Sequence, residues 1–527
     1  MLDKFSGNFK YTAHVFDRTE ACDLSDDYTL PDYMPAVGRV LSCAATAAQP
    51  TLYLSAGGVE CSGGVRYSLL YESADDGSLF CAELPAEYDV MLTPERDVRA
   101  SSLGSDVSGI CDAVLENTTA RVTAPRRLTV KSRLRLRPSL RANNEFAPLV
   151  HGADITSDSV RKLIGNSSCT VCACATAIPV ICRDDITRSE LGLSSEDEIR
   201  IISTHGEAMI NQLQTSDAGI ECKGEVNVSL LLSREDDRPR RIIRKLPFMT
   251  TLPVDAPLPA NAKQIGLRGY GVCPSVTHSA NADGISLEAS VLISAEAAAS
   301  VPVSFLKDIY SREADCESAY GVLELHSPVS AFNGHATVSA VHDIASTELD
   351  SGMKLCDVSA RILPDFEKEL SANGKLTITG KLRISVVTDN GAELIPFEYD
   401  SDFRYNAELS EAIGLNTTAI SAILTVGDIK GRLDADNIVC DCEVCAAVLI
   451  ETKQSVRMLS EANLTSAVPM DNGASILVCY PSRGETLWDV AKKYRTDIET
   501  ISEKNSILPS VAPDAHDSIA KVKFLII

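Results

Sequence analysis

One fifteen-residue pattern occurs three times in this chain, and it constrains the fold more than any other feature. Gly57-Gly-Val-Glu-Cys-Ser-Gly-Gly-Val-Arg-Tyr-Ser-Leu-Leu-Tyr71 has a close counterpart in Ala218-Gly-Ile-Glu-Cys-Lys-Gly-Glu-Val-Asn-Val-Ser-Leu-Leu-Leu232. A more diverged copy is Gly374-Lys-Leu-Thr-Ile-Thr-Gly-Lys-Leu-Arg-Ile-Ser-Val-Val-Thr388. Aligning the three superimposes Gly63, Gly224 and Gly380, spaced 161 residues (63 to 224) and then 156 residues (224 to 380) apart. A near-constant period of this size means one structural unit used repeatedly. The alternation of apolar and polar residues in each copy has the period of two that belongs to a strand.

The neighbouring segments repeat as well. Each copy leads into a polar turn, Asp75-Asp-Gly77, Glu235-Asp-Asp237 or Asp389-Asn-Gly391, and then to a Leu/Ile-Pro step at Leu84-Pro85, Leu246-Pro247 or Ile395-Pro396. A second alternating stretch follows at Leu128 to Leu136, Ile285 to Ile293 and Ile438 to Ala446. Upstream of each glycine lie matching strand-connector-strand stretches, Tyr11 to Thr46, Ala177 to Ala208 and Val338 to Leu363. Helical spacing is confined to Ser304–Tyr310 and Val160–Ile164. The expected fold is therefore mainly β, with three tandem antiparallel domains over 8–145, 165–310 and 325–462.

The last fifty residues change character. Ser475 to Tyr480 reads as a strand, and Pro481-Ser-Arg-Gly-Glu485 as a tight loop. Leu487, Val490, Ala491 and Tyr494 then fall on one helical face, with Thr486 as the cap. Thr496-Asp-Ile-Glu499 has capping-box form before a second short helix ending near Lys504. Val522 to Ile527 closes a βααβ module over 475–527, joined through a linker around Asp471-Asn-Gly473.

Composition narrows the function. Across 527 residues, Asp and Glu outnumber Lys and Arg 73 to 49, a formal charge of −24 that repels phosphate backbones and argues against nucleic acid as a partner. Apolar runs such as Ala175 to Ile181 are too short to span a bilayer. The start, Met1-Leu-Asp-Lys-Phe-Ser-Gly, has no signal-peptide pattern, so the chain is expected to stay in the compartment where it is made. Its 17 cysteines are odd in number and scattered, and Cys61, Cys81, Cys222, Cys273 and Cys440 sit in apolar strand patterns. That suits a reducing cytoplasm better than a disulfide framework.

Neither a catalytic nor a metal-binding constellation emerges. The histidines, among them His14, His205, His278 and His335, occupy unrelated positions with no His-x-x-x-His pairing, and phosphate-loop and nucleophile-elbow motifs are missing. Cys442-Glu-Val-Cys445 would place its thiols on opposite faces of a strand, and Cys172-Ala-Cys174 and Cys440-Asp-Cys442 read as buried strand thiols. The expectation is a non-enzyme without cofactor or metal. One basic feature stands out: Lys131, Arg133, Arg135 and Arg137 share a strand face, preceded by Arg126 and Arg127. That face is either a solvated surface or a contact for an acidic partner or anionic membrane. A second basic cluster, Arg238 to Lys245, is diluted by Glu235, Asp236 and Asp237.

The C-terminal module resembles a LysM domain through Arg483-Gly-Glu-Thr-Leu-Trp-Asp-Val-Ala-Lys-Lys-Tyr-Arg-Thr496 and the Asn505-Ser-Ile507 exit of its second helix. The resemblance implies a groove for N-acetylated glycan lined by Gly484, Glu485, Thr486, Leu487, Trp488, Asn505 and Ile507, and the same groove is the expected contact for a coat-protein partner. Glu485 stands where the family has Asp, and Asp514-Ala-His-Asp517 replaces the family's Pro-Gly-Gln turn. Trp488 can serve either module packing or ligand contact, and packing is the preferred role. Three such β units before a LysM module resemble the clostridial spore-coat morphogenetic proteins that interact with stage IV sporulation protein A, whose β units are SPOCS domains. The second unit matches best, through Leu246-Pro-Phe248 and Asp308-Ile-Tyr-Ser311, with Arg312 where the family has proline.

That resemblance implies a non-catalytic adaptor in the mother-cell cytoplasm at the forespore surface, binding a homologue of stage IV sporulation protein A. The alternatives are a peptidoglycan-binding protein of wall or cortex, and a wall hydrolase with a LysM tail.

Overall fold

The computed structural model describes residues 7–16, 18–55, 58–93, 107–151, 157–192, 200–233, 239–281, 283–343, 353–409, 418–434, 437–466, 477–507, 513–515, 519 and 522–527. The chain is mainly β, with several antiparallel sheets and two short helices.

The first eight strands are β1 (Phe9–Phe16), β2 (Glu20–Thr29), β3 (Val37–Ala47), β4 (Thr51–Ser55), β5 (Gly58–Ser73), β6 (Leu79–Leu92), β7 (Val107–Ala124) and β8 (Arg127–Phe146). They form two four-stranded sheets, one with β8 pairing β1, β2 and β7, the other with β5 pairing β3, β4 and β6. Tyr67 and Leu69 from β5 meet Val130, Leu134 and Leu136 from β8 in the core between them.

After the short β9 (Leu149–His151) come β10 (Val160–Thr187), β11 (Arg200–Ser216), β12 (Gly219–Ser233), β13 (Arg240–Leu252), β14 (Lys263–Ala280) and β15 (Gly284–Ser311). Here the sheets are β10-β15-β14 and β11-β12-β13. Val226, Val228 and Leu230 pack against Leu287, Ala289, Val291 and Ile293.

The third set is β16 (Ala314–Asp343), β17 (Lys354–Ile362), β18 (Glu367–Leu370), β19 (Lys375–Asp389), β20 (Leu394–Glu408), β21 (Thr418–Asp434) and β22 (Asn437–Ser466). Its sheets are β16-β22-β21, joined by the parallel β9, and one centred on β19 with β17, β18 and β20. Leu382, Ile384 and Val386 face Cys440, Cys442, Val444 and Ala446. The two alternating stretches of each repeat thus supply the central strands of facing sheets.

The three glycines explain why the pattern recurs. Gly63 lies opposite Tyr88, Gly224 opposite Phe248 and Gly380 opposite Phe403, each on the central strand of its sheet. The aromatic side chain covers the glycine: an added Cβ would come within 2.5 Å of the Tyr88 hydroxyl, 2.5 Å of the Phe248 ring and 2.9 Å of the Phe403 ring. A bare backbone beneath an aromatic ring is a known pairing across strands. The Leu/Ile-Pro steps are different. Pro85 faces Arg66, Pro247 faces Glu225 and Pro396 faces Val387, which are unequal distances from the glycine. They share only an edge-strand location, where a missing N–H does no harm.

Two expectations need correction. Ser304–Tyr310 and Val160–Ile164 are not helical but extended, as the paired ends of β15 and β10. A register shift between Leu163 and Ile164 leaves Lys307 unpaired, and the strand is buried on both faces. Phe305, Leu306, Ile309 and Tyr310 therefore enter different cores, and their spacing imitates a helix. The capping box expected from Thr496 and Glu499 is also not formed, because α2 starts one residue later with Asp497 as its N-cap, which puts Glu499 at the second helical position rather than the third.

The tail follows the order β23 (Val478–Cys479), α1 (Leu487–Tyr494), α2 (Ile498–Asn505), β24 (Leu525–Ile526), with β23 and β24 antiparallel. Thr486 caps α1 in a full capping box with Asp489. The linker around Asn472, the turn at Asp236 and part of the basic cluster at Arg238 lie outside the described residues.

Candidate functional site

The tail is docked on the rest of the chain by one face of its helices. The Trp488 indole N–H donates to Asp308 Oδ2 at 2.8 Å, and Lys492 Nζ reaches both Asp308 oxygens at 2.7 and 2.8 Å. The Tyr320 hydroxyl donates to Asp308 Oδ1 at 2.8 Å. Tyr310 meets Trp488 edge-on, ring centroids 4.9 Å apart, and its hydroxyl donates to the Thr496 carbonyl at 2.7 Å. Asp308 and Tyr310 are thus the receptor for the tail. Burial alone would lower the Lys492 ammonium, but the hydrogen bond and charge of Asp308 outweigh it and raise it.

A second anchor is Asp497, which accepts from Arg161 and Arg312, each at 2.6 Å. Asp497 is the N-cap residue of α2, yet its side chain makes no cap hydrogen bond, because both oxygens serve these arginines. The Arg161 bond holds the Asp497 carboxyl below its usual range. Arg495 pairs with Asp315, and Lys307 with Asp514 at 2.8 Å.

The residues expected to line a LysM-type groove therefore divide. Leu487 is 3% exposed and belongs to the module core with Val490, Ala491 and Ile501, so it offers no surface for a ligand. Trp488 is packed under Asp308 and Tyr310 rather than facing solvent. Asn505 ties α2 to β24, donating to the Ile501 and Ile526 carbonyls and accepting from the Ile526 N–H, all at 2.8 Å. Ile507 is partly buried against the same core. Glu485 accepts from the Ser482 N–H at 2.7 Å and closes its own loop, with Gly484 at a positive φ of 85°. Thr486 is spent on the cap. The loop after Ile507 lies outside the described residues.

What the tail does present is apolar. Tyr480 is 75% and Phe524 49% exposed, and they lie side by side on the outer face of the β23–β24 pair with Val478, next to Leu477. The sequence reading missed this patch because its residues alternate with buried Cys479 and Leu525 in an ordinary strand pattern.

The basic strand face is also redirected. Arg133 and Arg135 share Glu116 at 3.4 and 3.0 Å, Arg135 reaches Asp365 at 2.6 Å, and Arg137 pairs with Asp112 and lies over the Phe366 ring. Only Lys131 of the four has no carboxylate partner among the described residues. Arg135 and Arg137 thus serve as contact between β8 and the loop before β18, while Lys131 and Arg133 remain exposed. The second cluster is likewise paired, Arg244 with Asp184 and Lys245 with Glu225.

One assembly of side chains was invisible in the sequence. Where the three sets of sheets meet, Arg141 from β8 pairs with Glu296 from β15 and with Glu451 from β22, the latter at 3.0 Å. Arg268 from β14 reaches Glu296 at 2.7 Å and donates to Ser421 Oγ and Ser139 Oγ. Arg141, Arg268 and Glu296 are each at most 1% exposed. Burial alone would raise the Glu296 carboxyl, but Arg268 and Arg141 outweigh it and hold it at about 2. His14 Nε2 lies 3.0 Å from Glu451 Oε2, and the Thr170 hydroxyl donates to Oε1 at 2.7 Å. His14 and Glu451 also line a cleft of about 1240 Å³, whose other walls include Arg137, Phe366, Lys368 and Ala419 to Ile423.

The chain matches no protein-family model and no curated protein sequence. No helix among the described residues is long and apolar enough to cross a membrane.

Proposed function

We propose that this chain is a non-catalytic scaffold of spore-coat assembly, made of three tandem SPOCS-type β domains and a LysM-type tail. In this reading it works in the mother-cell cytoplasm at the forespore surface and captures a coat morphogenetic protein, a homologue of stage IV sporulation protein A. The observation that carries a protein rather than a glycan partner is the exposed apolar pair Tyr480 and Phe524 on the tail's outer face. Exposed aromatic patches favour protein contacts. Glu485 closes the loop on which sugar recognition would depend, which also supports a protein partner.

The test is binding of the full chain to the coat protein and to chitin oligomers, side by side. A Tyr480→Ser/Phe524→Ser double variant is expected to lose coat-protein capture by roughly tenfold or more, the scale of a hot-spot truncation. Submillimolar glycan binding without protein capture would instead establish the wall-binding reading.

A further inference from the structure

His14 on β1 and His326 on β16 are 312 residues apart in sequence (14 to 326), yet their rings lie 4.4 Å apart beside the Glu451 carboxylate on β22. One ligand atom from each of the three lies within 4.8 Å of the others. His326 Nδ1 is buried and has no hydrogen-bond partner. A buried ring nitrogen without a partner, beside a second imidazole and a carboxylate, calls for a group that accepts its lone pair.

We propose that His14, His326 and Glu451 bind one divalent transition-metal ion of the zinc type. Two imidazoles and one carboxylate are a suitable donor set for such an ion with an open coordination position. The carboxylate is oriented, as ligating carboxylates usually are, by Arg141 on Oε2 at 3.0 Å and by the Thr170 hydroxyl on Oε1 at 2.7 Å. The cleft lined by His14 and Glu451 gives the ion a way in and a place for the remaining ligand.

The adverse term is Arg141, whose positive charge lies next to Glu451. Glu296 offsets it, although Glu296 is shared with Arg268. An anion entering from the cleft, whose walls carry Arg137 and Lys368, would supply the rest. The ion would staple β1 to β16 and β22, across the boundary between the first and third sets of sheets. It stands apart from the tail, so its failure would leave the scaffold reading untouched.

The experiment uses chelator-stripped full chain titrated with Zn2+ by calorimetry and with Co2+ by absorption. We expect one ion per chain, a higher melting temperature, and a cobalt spectrum lacking the near-ultraviolet band of thiolate ligation. That last feature separates this site from the 17 cysteines. His14→Gln, which keeps a donor for Glu451, and His326→Gln should each weaken binding by roughly a hundredfold and remove the thermal shift. Should His14→Gln fail to fold in chelator, His326→Gln decides alone. No stoichiometric binding, binding that survives His326→Gln, or a thiolate band would each overturn the proposal.

Discussion

At the scale of single residues, the buried ion network is where the chain is most exposed to change. Glu296, fully buried, holds two arginines. Removing one partner from such a group leaves an uncompensated buried charge, which typically costs about 3–5 kcal/mol. Glu296→Gln is therefore expected to lower stability by about that amount in a urea titration. The same carboxylate sets an acid limit. Its pKa is depressed in the folded chain, so its contribution is complete above the ordinary carboxylate range near 4.5 and is lost as pH falls toward about 2. Melting temperature measured from pH 6 downward should drop more steeply in the native chain than in Glu296→Gln below the ordinary carboxylate range.

The anchor glycines give a sharper contrast. At Gly224 a methyl group would run into the Met209 carbonyl and the Phe248 ring, whereas at Gly64 the nearest atom is the Ala86 carbonyl at 3.8 Å. Gly224→Ala should cost about 1–3 kcal/mol as an overpacked site, and Gly64→Ala should be nearly neutral. Equal effects would show that the Gly–aromatic pairing does not constrain the sheet.

At the scale of elements, the tail's docking can be followed with its own reporter, because Trp488 is the only tryptophan. Asp308→Ala leaves the indole N–H and the Lys492 ammonium without their shared acceptor. Trp488 emission should shift to the red while the circular dichroism of the sheets is unchanged. Acid should act in the same direction. Asp497 is held below its usual pKa by Arg161 and Arg312, so that anchor is intact above about pH 4 and weakens as pH falls through the depressed value. An emission maximum unmoved by both treatments would mean the tail is held by contacts other than these.

Legibility from sequence also differed by element. The central strands could be read because each buries one face, so alternation marks them, and α1 could be read from its apolar stripe and Thr486 cap. Strands buried on both faces, such as the end of β15, lose that alternation. The docking of Trp488 on Asp308, 180 residues away, and the convergence of His14, His326 and Glu451 join elements far apart in the sequence. No local pattern encodes them.

At the scale of the whole molecule, the repeats do more than recur along the chain. Leu70, Leu231 and Val387 each stand seven residues after an anchor glycine, and they pack in one buried cluster. Leu41, Ile202 and Cys356 join them, each from a register shift in β3, β11 or β17. A bulge turns a side chain off the strand's own face, and here it turns all three toward the shared centre. On the other side of each repeat, the extended ends of β1, β8, β10, β15, β16 and β22 bring Phe9, Phe146, Cys169, Val303, Leu325 and Val456 into a second common cluster. The buried ion network joins the same three sets of sheets.

Equivalent positions thus face each other across a centre, and the three units should lose structure together. Leu231→Ala would open a cavity at that centre, at a cost of about 2–5 kcal/mol. Hydrogen exchange is the measurement that distinguishes the alternatives. If the units are coupled, protection should fall together in β5, β12 and β19, although only β12 carries the substitution. Leu230→Ala supplies the control, because Leu230 points into the core of its own two sheets. If exchange under Leu231→Ala quickens in β12 alone, the sheets behave as separate bodies and the common centre does not hold them together.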